Sequence, residues 1–219
     1  MFDIYDQLTA RLRAGGSYVW PLLLRLVMFW EFWNAGAKKL HGENWFTDIP
    51  FSDWQQGFPW PFSTIPAQLN WFAATWGELI FSVLILFGLF TRFAALSLIV
   101  ISAVAISAVH WPAEWSTYSQ LWEGYVITSK GAGNYRVPLL FIIILMPLVF
   151  NGGGKLSLDH LLLILSGRDD CVTERIGDGI AAGLTFAVLG VTTIFLEPVW
   201  GISFMVLALL TSMTPAFRR

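Results

Sequence analysis

Four apolar runs, at 19–40, 69–90, 93–110 and 137–150, restrict what this chain can fold into more than any other feature. A helix needs about 20 mainly apolar residues to cross a hydrocarbon layer, and fewer where the layer is thin. The fourth run is short and gains a turn from Asn134-Tyr135-Arg136. Composition points the same way: 56% of the 219 residues are hydrophobic and 13% are charged. Soluble domains are about 25% charged, and a water-soluble core of this length would not cover so much apolar surface. The expected fold is an all-α integral membrane helical bundle, with a four-helix core and a C-terminal apolar hairpin.

The segments flanking the core differ in character. FDIYDQLTARLR spaces Phe2, Tyr5, Leu8 and Leu12 along one helical face, which predicts an amphipathic surface helix over 1–16 hinged at Gly15-Gly16. The core occupies 17–150. Asn151-Gly-Gly-Gly-Lys then breaks the chain, and 151–178 reads as a cytoplasmic-face linker whose run 156–165 is too short to span and lies along the membrane. From 179 to 219 two short apolar helices form a transmembrane hairpin turning at Glu197-Pro198. No internal repeat is visible, so the inverted-repeat signature of many transporters is missing.

Basic residues set the orientation. With the N-terminus cytoplasmic, Arg11, Arg13, Arg92, Lys155, Arg168 and Arg175 lie inside, against Lys38, Lys39, Lys130 and Arg136 outside. The same topology puts Trp45, Trp54, Trp60, Trp71, Trp111, Trp115 and Trp122 on or near the outer side. Indole rings favour the headgroup zone, so these links are expected to fold down as a lid. The net charge of −2 offers no field to attract nucleic acid. Cys171 is the only cysteine, which excludes an internal disulfide and any CxxC motif. The first run ends in Lys38-Lys39 rather than a small-residue cleavage site, so it reads as a retained helix.

Charge inside such runs needs a reason, because an ion at bilayer depth costs at least ~2.5–3.5 kcal/mol. The first run holds Arg25 and Glu31, and the second holds Glu78 on a stripe with Trp71, Thr75 and Ser82. Arg25 and Glu31 diverge by about 120° around their helix and must find partners elsewhere. Counted from the outer helix ends, Glu31 and Glu78 lie at similar depth, ~13 Å down, with Arg25 ~9 Å deeper. The expected site is a buried cluster of Glu78, Arg25 and Glu31 with acid–base capacity, opening past Lys39 toward the tryptophans. A plainer alternative stands beside it: Arg25 and Glu78 lock two helices together, or Arg25 snorkels to the inner headgroups. No metal-ligand spacing occurs, and the histidines His41 and His110 read as solvated helix ends.

Arg25 followed by AGAKKL, then GELIFSVLILFGLFTR, resembles the DoxX family of small bacterial membrane proteins, whose recurring positions would here be Arg25, Gly36, Lys39, Glu78, Gly88, Thr91 and Arg92. HGENWF, VHWP and GNYRVPLLFI are similar to the HvfX subgroup. The family resemblance implies a place in the bacterial inner membrane and links to oxidoreductase complexes. No electron-carrying residue or cofactor ligand is evident, so redox work would need a quinone, and Lys39, Trp71, Thr75 and Arg92 are the candidate residues to border it. The subgroup implies a role beside the maturation of ribosomally made copper-binding peptides. The partners would then be the lipid bilayer, the peptide and its modification enzymes, and further copies of the chain. Export of the peptide or copper, or a scaffold holding soluble enzymes at the inner face, are the alternatives.

Overall fold

The computed structural model describes residues 2–47, 51–58, 60–110, 135–167 and 178–213. It is helical, with no strand among the described residues. In chain order the helices are α1 (Phe2–His41), α2 (Phe51–Gln56), α3 (Ala67–Phe87), α4 (Thr91–Ala105), α5 (Arg136–Asn151), α6 (Leu158–Leu165), α7 (Asp178–Thr193) and α8 (Pro198–Met213). A π-helical turn, Ile106–His110, extends α4. Among the described residues two segments, Ala67–Phe87 and Thr91–His110, are long and apolar enough to cross a membrane. Only 28% and 44% of their apolar windows are buried, whereas a soluble core helix would be mostly buried. Cys171, the segment 111–134 with Trp111, Trp115 and Trp122, and Arg218-Arg219 lie outside the described residues.

The chain forms two compact units: 1–44, 71–98 and 143–171 make the first, and 45–70, 99–142 and 172–219 the second. In the first, α1 runs unbroken through Gly15-Gly16 for 40 residues, ~60 Å at 1.5 Å per residue. The expected hinge is therefore absent. A glycine costs a helix about 1 kcal/mol, which one continuous helix tolerates. The real interruption is Pro21, which has no N–H to offer the Ser17 carbonyl four residues back. Lys155 supplies it instead, its backbone N–H donating to Ser17 O at 3.2 Å. Gly154 makes this possible, since a Cβ there would lie 2.7 Å from both the Pro21 ring and Ser17 O.

Helices α1 and α3 pack antiparallel and closely. A Cβ on Gly36 would sit 2.8 Å from Leu79 Cγ and 3.2 Å from Glu78 Cβ. Met28, Phe32, Leu79, Ile85, Ala94, Leu98, Leu145 and Leu148 are buried in this unit. The opposite face of α1 presents Trp20, Leu23, Val27 and Trp30 as exposed apolar side chains.

In the second unit α7 and α8 pair antiparallel through small residues. Cβ atoms at Gly183, Gly190 and Gly201 would collide with Ser212, Met205 and Ile194 respectively. The segment 45–70 is held by aromatic contacts and by Gln55. Phe46 stacks on Phe51 at 4.0 Å, Trp54 Nε1 donates to Ser107 Oγ at 2.8 Å, and Phe58 meets Phe195 at 6.3 Å. Gln55 donates to the Phe62 and Ile65 carbonyls and accepts from Asn70. Trp60, by contrast, is 80% exposed.

Candidate functional site

The first unit holds two separate polar centres. One is an ion pair between α1 and α3. Lys39 Nζ lies 2.8 and 2.7 Å from the two Glu78 oxygens, with side chains 20% and 7% exposed. Gly36, one turn before Lys39, brings the helices near enough for this contact. Ser82, one turn below Glu78, bonds to its own helix at Leu79 O. Thr75, one turn above, is 2% exposed and its hydroxyl has no hydrogen-bond partner. An unsatisfied buried hydroxyl costs about 1–3 kcal/mol, so this position is unlike the rest of the helix.

The other centre is built around Arg25. Its Nη1 donates to Gly153 O at 2.8 Å and Leu156 O at 2.7 Å, and its Nη2 to Leu86 O at 2.9 Å. Leu86 belongs to the last turn of α3, where carbonyls lack intrahelical partners and carry the negative end of the helix dipole. Gly88 closes that helix with φ +65°, Leu89 N–H bonding to Leu84 O and Gly88 N–H to Ile85 O, a Schellman arrangement. Asp159 holds the next helix: its carboxylate accepts from Phe90 N, Thr91 N and Thr91 Oγ1 at 2.7, 2.8 and 2.7 Å. An anion thus caps the α4 N-terminus from a distant segment, itself started by Ser157 capping α6. Arg92 donates to Val149 O and Phe150 O, capping α5. Charged side chains from elsewhere in the chain therefore satisfy the end of α3, the start of α4 and the end of α5.

Gly88 is the tightest point. A Cβ there would lie 2.5 Å from Ser157 Cβ and 2.9 Å from Arg25 Nη1. Gly88→Ala is expected to destabilise the protein by about 2–5 kcal/mol, combining a left-handed backbone with overpacking. Gly167 also has a positive φ, +66°, but meets nothing within 4 Å. Gly167→Ala should cost only the backbone part, about 1–2 kcal/mol. Thermal unfolding of both variants in detergent checks the difference.

The expected cluster of Arg25, Glu31 and Glu78 does not form. Glu78 is partnered by Lys39, Arg25 is held by backbone carbonyls, and Glu31 is exposed and belongs to neither centre. The reason is register. Gly36 faces Leu79, so α3 is slid along α1 by about six residues, ~9 Å, from the alignment of outer ends. Of the residues expected to border a cofactor, Lys39 and Thr75 lie beside Glu78, and half-buried Trp71 lies one turn beyond Thr75. Arg92 lies past the opposite end of α3 and cannot border the same ligand.

Asp159, Ser157 and the glycines 152–154 are the residues that sequence reasoning missed. A Cβ on Gly153 would lie 2.6 Å from Thr91 Oγ1, so bare backbone is needed there. The available signal was three consecutive glycines followed by a helix cap, in a segment read only as a linker.

A helical protein in which an ion pair joins α1 to the apolar, membrane-length helix α3 is the class defined by this arrangement. The chain carries a DoxX family domain, matched over residues 20–111. An uncharacterized protein of Haemophilus influenzae is 40% identical over 152 residues, covering 69% of this chain and 89% of the relative. No solved structure matches the chain. The matched range contains Arg25, Gly36, Lys39, Glu78 and Gly88, so both centres draw on the family domain. The family is membrane-associated.

Proposed function

We propose that the protein is a multi-pass inner-membrane accessory of a copper-binding peptide maturation pathway, and that the Lys39–Glu78 pair is its proton-exchanging site. The single observation behind this is the buried ion pair itself, with a hydroxyl beside it that no neighbour satisfies. Burying two ions costs more than their attraction returns unless the remaining lone pairs are also bonded, so a brace alone would be better built from apolar side chains. A Lys–Glu pair can hold its proton on either partner. Likeness to the HvfX subgroup in HGENWF, VHWP and GNYRVPLLFI supports the copper-peptide setting.

The exposed apolar side chains of α1, the two membrane-length helices and the inward bias of basic residues support this membrane placement. In this arrangement the N-terminus is cytoplasmic and the first half of α1 projects beyond the bilayer, the four-helix core occupies 17–150, the Arg25 centre lies at the inner face, and 179–219 adds a hairpin. A quinone would find hydrogen-bond donors in the Lys39 ammonium and the orphaned Thr75 hydroxyl, and when bound would supply electron transfer. The chain's own contribution is to orient that group and to hold or release a proton at Glu78.

Glu78→Gln keeps the side-chain volume and removes the charge. In the native host it should abolish copper tolerance and peptide modification while the protein remains in the membrane at its normal level. Intact tolerance and modification would instead leave the pair as a brace and the protein as a scaffold for its partners.

A further inference from the structure

Resting on the reading just given, we infer that Thr75, Glu78 and Lys39 form a binding site for one uncharged hydroxyl group, and that Glu78 exchanges its proton through it. The hydroxyl belongs either to water or to a lipid-soluble phenol-type molecule. Thr75 is the starting point. It is 2% exposed, and its Oγ1 has no partner. Elsewhere in these apolar helices hydroxyls bond back to their own backbone, as Ser82 does to Leu79, Ser97 to Phe93, Thr192 to Val188 and Ser212 to Ala208. Thr75 has the same option at the Trp71 carbonyl and does not take it. Buried polar groups nearly always find a partner, so the position is set up for a group from outside the chain.

The hydrogen-bonding inventory defines the ligand. Lys39 directs two bonds to Glu78, leaving one of its three protons. The carboxylate keeps free lone pairs, and the Thr75 hydroxyl both donates and accepts. The site is neutral overall, so an added ion would be uncompensated and an apolar molecule would satisfy nothing. A group that accepts from Lys39 or Thr75 and donates to Glu78 meets every requirement. Spacing agrees. Thr75 and Glu78 are three residues apart, a rise of ~4.5 Å. One oxygen making two hydrogen bonds of ~2.8 Å bridges up to ~5.6 Å. In the exchange the hydroxyl proton passes to a Glu78 oxygen while a Lys39 proton passes to the hydroxyl oxygen. The bound molecule is regenerated, the pair becomes neutral, and no electron moves.

The test follows deuterium exchange of the Lys39 ammonium by NMR in the full chain, ¹⁵Nζ-lysine labelled and held in lipid nanodiscs. Lys39 is one of four lysines, Lys38, Lys39, Lys130 and Lys155, and Lys39→Met assigns its signal. Thr75→Val, which keeps the shape and removes the hydroxyl, should slow exchange at least tenfold, and Thr75→Ser should stay within twofold of the native protein. If Thr75→Val does not fold, Thr75→Ala takes its place in the same comparison. Added duroquinol separates the two sources. A shift of the Lys39 signal in the native protein that disappears in Thr75→Val identifies a phenol-type hydroxyl, and no shift together with slowed exchange identifies water. Unchanged exchange in Thr75→Val with no duroquinol shift, or a shift of equal size in both proteins, overturns the inference. Should Thr75→Val exchange normally, with no duroquinol shift that depends on Thr75, while Glu78→Gln still abolishes the host phenotype, this inference fails and the proposed function survives. Slowed exchange beside a harmless Glu78→Gln gives the reverse.

Discussion

Lys39→Met lowers the stability of the folded protein by about 3–5 kcal/mol, whereas Lys39→Met combined with Glu78→Met lowers it far less. The asymmetry comes from what each change leaves behind. Glu78 is 7% exposed at its side chain, and its charge is met by both hydrogen bonds from the ammonium. Without Lys39 that carboxylate stays in a low-dielectric interior with no counterion, the costly outcome for a buried pair. The double variant removes both desolvated ions and replaces them with flexible apolar side chains of comparable length. Equilibrium unfolding in mixed micelles, with single and double variants measured together, gives the coupling between the residues. A coupling near zero would mean that the pair is not formed in solution.

Arg25→Lys is the second large effect, expected at about 3–5 kcal/mol although positive charge is retained. Three carbonyls, of Leu86, Gly153 and Leu156, depend on one guanidinium. Hydrogen bonds from a charged donor contribute about 1.5–3 kcal/mol each. A lysine ammonium is a compact point on a flexible stem and cannot reproduce the fork that reaches all three. The last turn of α3 and the glycine loop after α5 would then lose their common anchor. Protease protection of the 152–157 segment should fall along with the melting temperature. Normal protection in Arg25→Lys would show that the loop is held by Asp159 and Lys155 alone.

Much of the secondary structure was legible because apolar patterning is local. The second run, expected at 69–90, appears as Ala67–Phe87, and the break at Glu197-Pro198 separates α7 from α8. Glu78, Thr75 and Ser82 share a buried stripe as their spacing implies. The pairing of ions was not legible, because depth counted from helix ends ignores how far one helix slides along its neighbour. Gly36 decides that register, and its role appears only when Leu79 is seen opposite it. Arg25 was harder still. Its acceptors lie 61 to 131 residues away and are backbone carbonyls, which carry no sequence signature. Nor does sequence reveal that the carbonyl freed by Pro21 is met by the Lys155 N–H, which keeps α1 continuous where a hinge was expected. The tryptophan-rich link 111–134 lies outside the described residues, and of the other link expected to fold down as a lid residues 45–47, 51–58 and 60–68 are described.

The neutral double variant, Lys39→Met with Glu78→Met, examined in the native host, tests most directly whether these two ions do chemistry or merely fasten helices. It should accumulate in the membrane at the native level and still leave cells copper-sensitive with unmodified peptide. Full tolerance and normal modification in that strain would contradict a working role for the pair.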